Sequence, residues 1–221
     1  MTGGTGGLGS AVTSTLLDDG WRVVVPWIAG AELERVAEHE SLVLHKADLF
    51  DEGDVTACVA LAAGEPSAPL TAVVNLVGGF AMGGRLHETP VDEFERLLRL
   101  NLRPTYLTCH AALPHLVAGG GGSIVCVSAR AVERPFPGAS AYLTAKTAVL
   151  GLVGALAAEY GGDGVRANAV LPGVIDTPAN RAAMPDSDRA GWVAPERIAE
   201  TVRFLCGDVP VNGARVPVDG P

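Results

Sequence analysis

The chain has 221 residues, 48% of them hydrophobic, and a formal net charge of −9. That length fits one domain with a full core, and 28 glycines beside so large an apolar share suit an α/β domain with buried parallel strands. The acidic balance, without any basic run, argues against nucleic acid and anionic membrane as partners.

The first residues, Met1-Thr2-Gly3-Gly4-Thr5-Gly6-Gly7-Leu8-Gly9, lead into helix-like spacing of Ala11, Val12, Thr15, Leu16 and Leu17, which Asp18-Asp19-Gly20 ends. A glycine-rich turn before a helix N-terminus can cradle a pyrophosphate; read alone, a flexible start serves equally well. Residues 21–25 predict a strand ended by Pro26, 31–40 a helix with charged faces, and 42–45 a second strand closing on Asp48. Residues 51–63 predict a helix whose acidic first turn suits its dipole. A third strand over 71–76 precedes Gly78-Gly79 and a loop over 80–90. Residues 91–117 predict a long helix that Pro104 and Pro114 should bend or divide. Strands at 123–128, 165–171 and 214–218 then alternate with helices at 141–160 and 195–206, with a polar, proline-containing loop over 172–191. Strands alternating with helices mean a parallel sheet covered on both faces.

Cys58, Cys109, Cys126 and Cys206 form no C-x-x-C pair, and the histidines form no H-E-x-x-H. Free buried thiols in a reducing compartment and no metal site are expected. The start lacks the basic and apolar regions of a signal peptide, and the apolar run over 148–158 is too short to span a bilayer. A cytoplasmic protein without membrane contact is expected.

Within Ser140-Ala141-Tyr142-Leu143-Thr144-Ala145-Lys146, Tyr142 and Lys146 stand at i and i+4, on one face of a helix. A phenol has an ordinary pKa of ~10, and a neighbouring ammonium favours the phenolate. The pair could exchange a proton with a carbonyl or alcohol oxygen. Alone, it is more often an accident of helical spacing.

Taken with their surroundings, these residues resemble the short-chain dehydrogenase/reductase family, a single-domain Rossmann family that uses NAD or NADP, and the resemblance covers essentially residues 1–221. The family's T-G-x-x-x-G-x-G matches Thr2, Gly3, Gly7 and Gly9, its N-N-A-G matches Asn75-Leu76-Val77-Gly78 in altered form, and its Y-x-x-x-K matches Tyr142 and Lys146. Asn101, Pro172-Gly173, Thr177 and Val218-Asp219-Gly220 match further motifs in order. The resemblance implies a doubly wound parallel sheet and hydride transfer between a nicotinamide and a small carbonyl or alcohol compound. It implies Tyr142 as acid/base, Lys146 tuning it and binding the nicotinamide ribose, and Asn101 holding a water that relays protons to Lys146. Cofactor contacts are implied for Thr2, Gly3, Thr5, Gly7, Leu8 and Gly9, for Trp27, Asp48, Leu49, Asn75 and Gly78, and for Pro172, Gly173, Ile175 and Thr177. Asp48 could instead cap the next helix.

Three departures stand out. The family's catalytic serine falls at Ala129, while Ser128 lies one residue earlier and in a strand would face the other way unless a bulge presents it. Ser128 is therefore weighed both as the catalytic serine and as a strand-end hydroxyl bonded to backbone. Only Met1 precedes Thr2, where the family has a central strand, so two inner strand edges are expected to lack a partner and the glycine turn to be poorly anchored. A start assigned too late in the gene, or a trimmed chain, would account for this. Finally, Trp27 takes the place of the acid that binds the ribose, and no basic residue is in view for a 2′-phosphate, so the balance favours NAD.

The segment 178–193 is expected to be a short substrate lid, and Phe80, Met82, Arg130, Arg134 and Phe136 could line the mouth, although any one of them is more simply a surface loop residue. Gly151, Gly154, Ala155 and Ala158 give helix 141–160 a small-residue face. By the resemblance that face and the helix of Asn101 would build a homodimer or homotetramer; packing against the sheet is the simpler alternative. A catalytically impaired dinucleotide-binding or interaction protein is the competing reading.

Overall fold

Runs of β-branched residues make the strands, and the helices between them carry the chain back for parallel pairing. In the computed structural model, which describes residues Met1–Pro221, α1 (Gly9–Asp18) is followed by β1 (Val23–Trp27), β2 (Leu42–Lys46), α2 (Glu52–Ala63), β3 (Ala72–Asn75) and α3 (Val91–Ala118). Then come β4 (Gly122–Val127), α4 (Ser140–Tyr160), β5 (Val165–Pro172), α5 (Pro178–Ala183), α6 (Pro195–Cys206) and β6 (Arg215–Val218). Every ladder is parallel, β1 with β2 and, separately, β3-β4-β5-β6. Alternate residues face opposite ways. Val73, Ile124, Ala167 and Ala169 enter one core with α2, α3 and α4, and Val74, Val125 and Val170 enter another with α1 and α6. This is a doubly wound, Rossmann-type α/β domain.

Some elements differ from expectation. The helix over 31–40 shrinks to a 3-10 turn at Gly30–Arg35 with no buried residue, so no apolar stripe supports a longer one. β1 continues through Pro26, which is tolerated because the strand has a ladder partner only on its β2 side. α3 is not divided, since Pro104 and Pro114 both lie within one helix. Each proline costs about 3 kcal/mol in a helix interior, but buried Leu97, Leu107, Leu113 and Leu116 each contribute roughly 1.5–3 kcal/mol. By length and mean hydropathy (1.5), Ser140–Asp163 would suffice to cross a membrane, a longer stretch than the sequence reading allowed; its Val149, Leu150, Val153 and Leu156 lie in the core.

Between β1 and β3 there is no strand, only Met1 and Thr2. Met1 N donates to the Val24 carbonyl at 2.7 Å, Thr2 N to the Val74 carbonyl at 2.9 Å, and Leu76 N to the Thr2 carbonyl at 3.2 Å. Cavities of about 40 and 60 Å³ flank Met1, both lined by Val24, Ala62, Leu70 and Ala72. The gap expected from the sequence is present, but the poor anchoring of the glycine turn is not. The three bonds above, with Thr13 Oγ1 donating to the Gly4 carbonyl at 3.0 Å, hold the turn at both ends.

Candidate active site

The glycine turn and the start of α1 form one wall of the site. A Cβ at Gly9 would overlap the Gly3 carbonyl, so this position admits only glycine. A Cβ at Gly7 would come 3.1 Å from Cβ of Thr177, which draws the turn against the loop after β5. With Leu8 at the N-cap, the turn offers a helix N-terminus behind a surface nearly free of side chains. Those features fit a dinucleotide pyrophosphate.

Tyr142 and Lys146 occupy the first turns of α4, facing the loop after β3. Burial pushes the Tyr142 phenol up to about 12 and pulls Lys146 down to about 8, the latter opposed by the Cys126 thiol. The expectation that the lysine lowers the phenol's pKa is therefore not met here. Lys146 Nζ instead donates to the Val127 carbonyl at 3.1 Å, and burial alone acts on Tyr142. No protein group hydrogen-bonds the Tyr142 hydroxyl, while Phe80 packs edge-on against its ring with centroids 5.0 Å apart. Tyr142 is thus protonated near neutral pH, with its hydroxyl free for a substrate.

Asn101, buried in α3, points at the same loop. Its Oδ1 accepts from Gly79 N at 3.1 Å, and its Nδ2 donates to the Gly79 and Leu97 carbonyls, each at 3.0 Å. The carboxamide is committed to fixing the chain at Gly79. A Cβ at Gly78 would lie 2.6 Å from Asn101 Oδ1 and 2.8 Å from Lys146 Nζ, so these two side chains meet over that glycine.

Ser128, weighed as the catalytic serine, lies at the end of β4. It is buried, and its Oγ donates to the Lys146 main-chain carbonyl at 2.8 Å. In this bond it behaves as the strand-end hydroxyl of the alternative reading. Ala129, in extended conformation at φ −156° and ψ 146°, carries no hydroxyl to replace it.

At the other end of the crevice, Trp27 closes β1 with Lys46 Nζ 5.9 Å from its ring centroid. Asp48 Oδ1 accepts from Phe50 N at 2.9 Å, forming a turn, whereas the N-cap of α2 is Asp51. Leu49 packs on the core and lines one of the cavities beside Met1. Asn75, expected among the cofactor contacts, turns its side chain inward. Its Nδ2 faces the Cys109 and Cys126 sulfurs at 3.5 and 3.7 Å, and its Oδ1 faces Thr2 Oγ1 at 3.4 Å, all in the interior. The sequence reading missed Glu32, whose Oε2 accepts from Thr5 Oγ1 at 2.8 Å. Spaced as part of a charged helix over 31–40 it would face solvent; the 3-10 turn carries the carboxylate back to the glycine turn.

The loop after β5 completes the site. Gly173 N donates to the Val218 carbonyl at 3.0 Å, placing Pro172-Gly173 beside β6. Ile175 bridges Val193, and Asp176 N and Val193 N donate across this neck at 2.8 and 2.7 Å, so residues 178–193 form a loop pinched at its base. Thr177 caps α5, accepting from Asn180 N at 3.2 Å.

A family model described as enoyl-(acyl carrier protein) reductase matches residues 3–220. The chain is 35% identical, over all of its length and 96% of the relative's, to 2-(R)-hydroxypropyl-CoM dehydrogenase of Xanthobacter autotrophicus. It is similar to a solved short chain dehydrogenase/reductase family protein at 32% identity and a TM-score of 0.87, covering 98% of this chain and 93% of that one. It is also similar to a 3-ketoacyl-(acyl-carrier-protein) reductase from Brucella melitensis complexed with NADH, at 26% identity and a TM-score of 0.86, covering 99% and 95% of the two chains.

Proposed function

Because the chain belongs to the short-chain dehydrogenase/reductase family, an oxidoreductase family that uses a nicotinamide dinucleotide, we propose that it interconverts a carbonyl and an alcohol on a small molecule, with Tyr142 as acid/base. The observation that carries this reading is the Tyr142 hydroxyl, on the same helix face as Lys146 and unbonded to protein. When bound, the nicotinamide supplies or accepts the hydride. Gly3, Thr5, Gly7, Leu8 and Gly9 would hold the pyrophosphate side, Trp27, Asp48 and Leu49 the adenosine, and Gly78, Pro172, Gly173, Ile175 and Thr177 the nicotinamide side. Tyr142 gives a proton to the substrate oxygen in reduction and takes it back in oxidation. Lys146, held between the Val127 carbonyl and Gly78, lies within the same pocket to replenish that proton.

The reading favours NAD over NADP. The Glu32 carboxylate at Thr5 would repel a 2′-phosphate, and it adds to the lack of basic residues in the glycine turn. A homodimer or homotetramer in the cytoplasm is part of the same reading. Gly151 and Gly154 of α4 have open space beside them, and Tyr106 of α3 is exposed.

The test is a titration with NADH and NADPH, read by energy transfer from Trp21, Trp27 and Trp192, followed by a carbonyl screen. Tyr142→Phe is expected to lower turnover at least ~100-fold with cofactor affinity retained; undiminished turnover would refute the assignment. The commitment of the Ser128 hydroxyl to Lys146 favours a second reading, a dinucleotide-binding protein with little catalysis. Absence of turnover across the screen in both the native chain and Ala129→Ser, with saturable cofactor binding, would establish that second reading.

A further inference from the structure

The mouth of the site is flanked by large apolar side chains left in solvent. Phe80 is 56% exposed, Met82 59% and Phe136 38%. Phe80 stands edge-on to Tyr142, its centroid 5.0 Å away at 85°, and 6.5 Å from that of Phe136. These residues come from two loops, one after β3 and one before α4. Gly83 N donates to the Gly138 carbonyl at 2.8 Å and joins the two loops. Asn101 holds Gly79, the residue before Phe80, through both of its main-chain groups. The two rings are therefore set by bonded backbone beside the acid/base hydroxyl. Contiguous exposed apolar surface of this kind marks a ligand site.

The charges nearby point the same way. Arg130 pairs with Glu133 and with Asp219, and Arg181 pairs with Asp176 through two bonds of 2.6 and 2.8 Å. Those guanidinium groups are neutralised within the protein and are not held ready for a substrate anion.

Resting on the reading of Tyr142 as acid/base, we propose that Phe80 and Phe136 form an apolar jaw that selects uncharged carbonyl or alcohol compounds bearing a ring, or an apolar group of similar width, next to the reacting carbon. A ring laid across both phenyl groups, whose centroids are 6.5 Å apart, buries apolar surface against each, which a short alkyl ketone cannot do. Arg134, like Arg85 in the loop of Phe80 and Arg189 in the 178–193 loop, is exposed and without a carboxylate partner, and recognition by such a cation would instead favour a substrate carrying an anion.

The experiment compares acetophenone, butanone and 4-acetylbenzoate with the full chain and reduced cofactor, in the native protein, Phe80→Ala, Phe136→Ala and Arg134→Ala. Acetophenone is expected to exceed butanone at least tenfold in kcat/KM. Phe80→Ala is expected to lower the acetophenone value at least tenfold more than the butanone value, chiefly through KM. Equal losses on both substrates would make Phe80 merely structural and overturn the proposal. A preference for 4-acetylbenzoate over acetophenone would overturn it in favour of anion recognition, by Arg134 if Arg134→Ala abolishes the preference and by another cation if it does not. Binding of acetophenone, read by saturation-transfer NMR with the cofactor present, decides the matter even without turnover. Binding to the native chain that is lost in Phe80→Ala supports the jaw, and equal binding, or none to the native chain, overturns it. Turnover surviving in Tyr142→Phe would sink the acid/base reading separately and leave the binding result standing.

Discussion

The Ser128 hydroxyl donates to the main-chain carbonyl of Lys146 at 2.8 Å, tying the end of β4 to the helix that carries the acid/base pair. This bond consumes the one donor that the serine has. Ser128→Ala is therefore expected to destabilise the fold by about 0.5–1.5 kcal/mol, the net worth of one hydrogen bond whose acceptor keeps its helical partner, while changing turnover only a few-fold. Denaturant melts and initial rates on the same preparation check it; a hundredfold fall in kcat without loss of stability would restore Ser128 as catalytic.

Ala129→Ser adds a hydroxyl on the opposite side of the extended chain from Ser128. One well-placed donor to a developing oxyanion is worth roughly 3–4 kcal/mol, which sets the ceiling on the gain. Turnover is expected to rise at least tenfold. An unchanged kcat would mean that the added hydroxyl does not reach the reacting oxygen.

Glu32→Gln removes the carboxylate that bonds Thr5 but keeps a side-chain oxygen to accept that bond. A 2′-phosphate would then meet less repulsion, and the affinity for NADPH relative to NADH is expected to rise roughly tenfold. Direct fluorescence titration measures this without turnover. A ratio that stays put would free cofactor choice from Glu32.

Lys146 has its folded value pulled from 10.5 to about 8. Between those pH values the unfolded chain keeps a proton that the folded chain has lost, so stability rises with pH there, by about 3 kcal/mol in all. Tyr142 acts in the other direction. Its folded value of about 12 lies above 10.0, so the folded chain holds the extra proton and stability falls with pH between about 10 and 12. Lys146→Met should abolish the rise and keep the fall. Melting curves from pH 7.5 to 11 test this, and a rise that persists in the variant would contradict it.

The gap between β1 and β3 makes a further prediction about packing. A strand-forming apolar segment of about five residues placed before Met1 could pair with both edges and fill the cavities beside Val24 and Ala72. The melting temperature should rise by about 2–4 °C for each kcal/mol gained. Equal melting temperatures with and without the segment would mean that Met1 and Thr2 already satisfy the slot.

Periodicity and punctuation in the sequence settled the alternation of strands and helices, and spacing alone placed Tyr142 and Lys146 on one face of α4, because a helix repeats whatever lies outside it. What Ser128, Asn75 and Asn101 do with their polar atoms was not legible, because hydrogen-bond partners such as the Lys146 carbonyl, the Cys109 and Cys126 sulfurs and Gly79 lie far off in the chain. Tertiary packing also reversed a chemical expectation: with Lys146 turned to the Val127 carbonyl, burial rather than a neighbouring charge sets the Tyr142 proton. It brought Glu32 to Thr5 and Phe80 to Tyr142 as well, contacts between residues that lie 27 and 62 positions apart in the chain. Local pattern determined which elements form, and long-range packing decided which side chains are free to act.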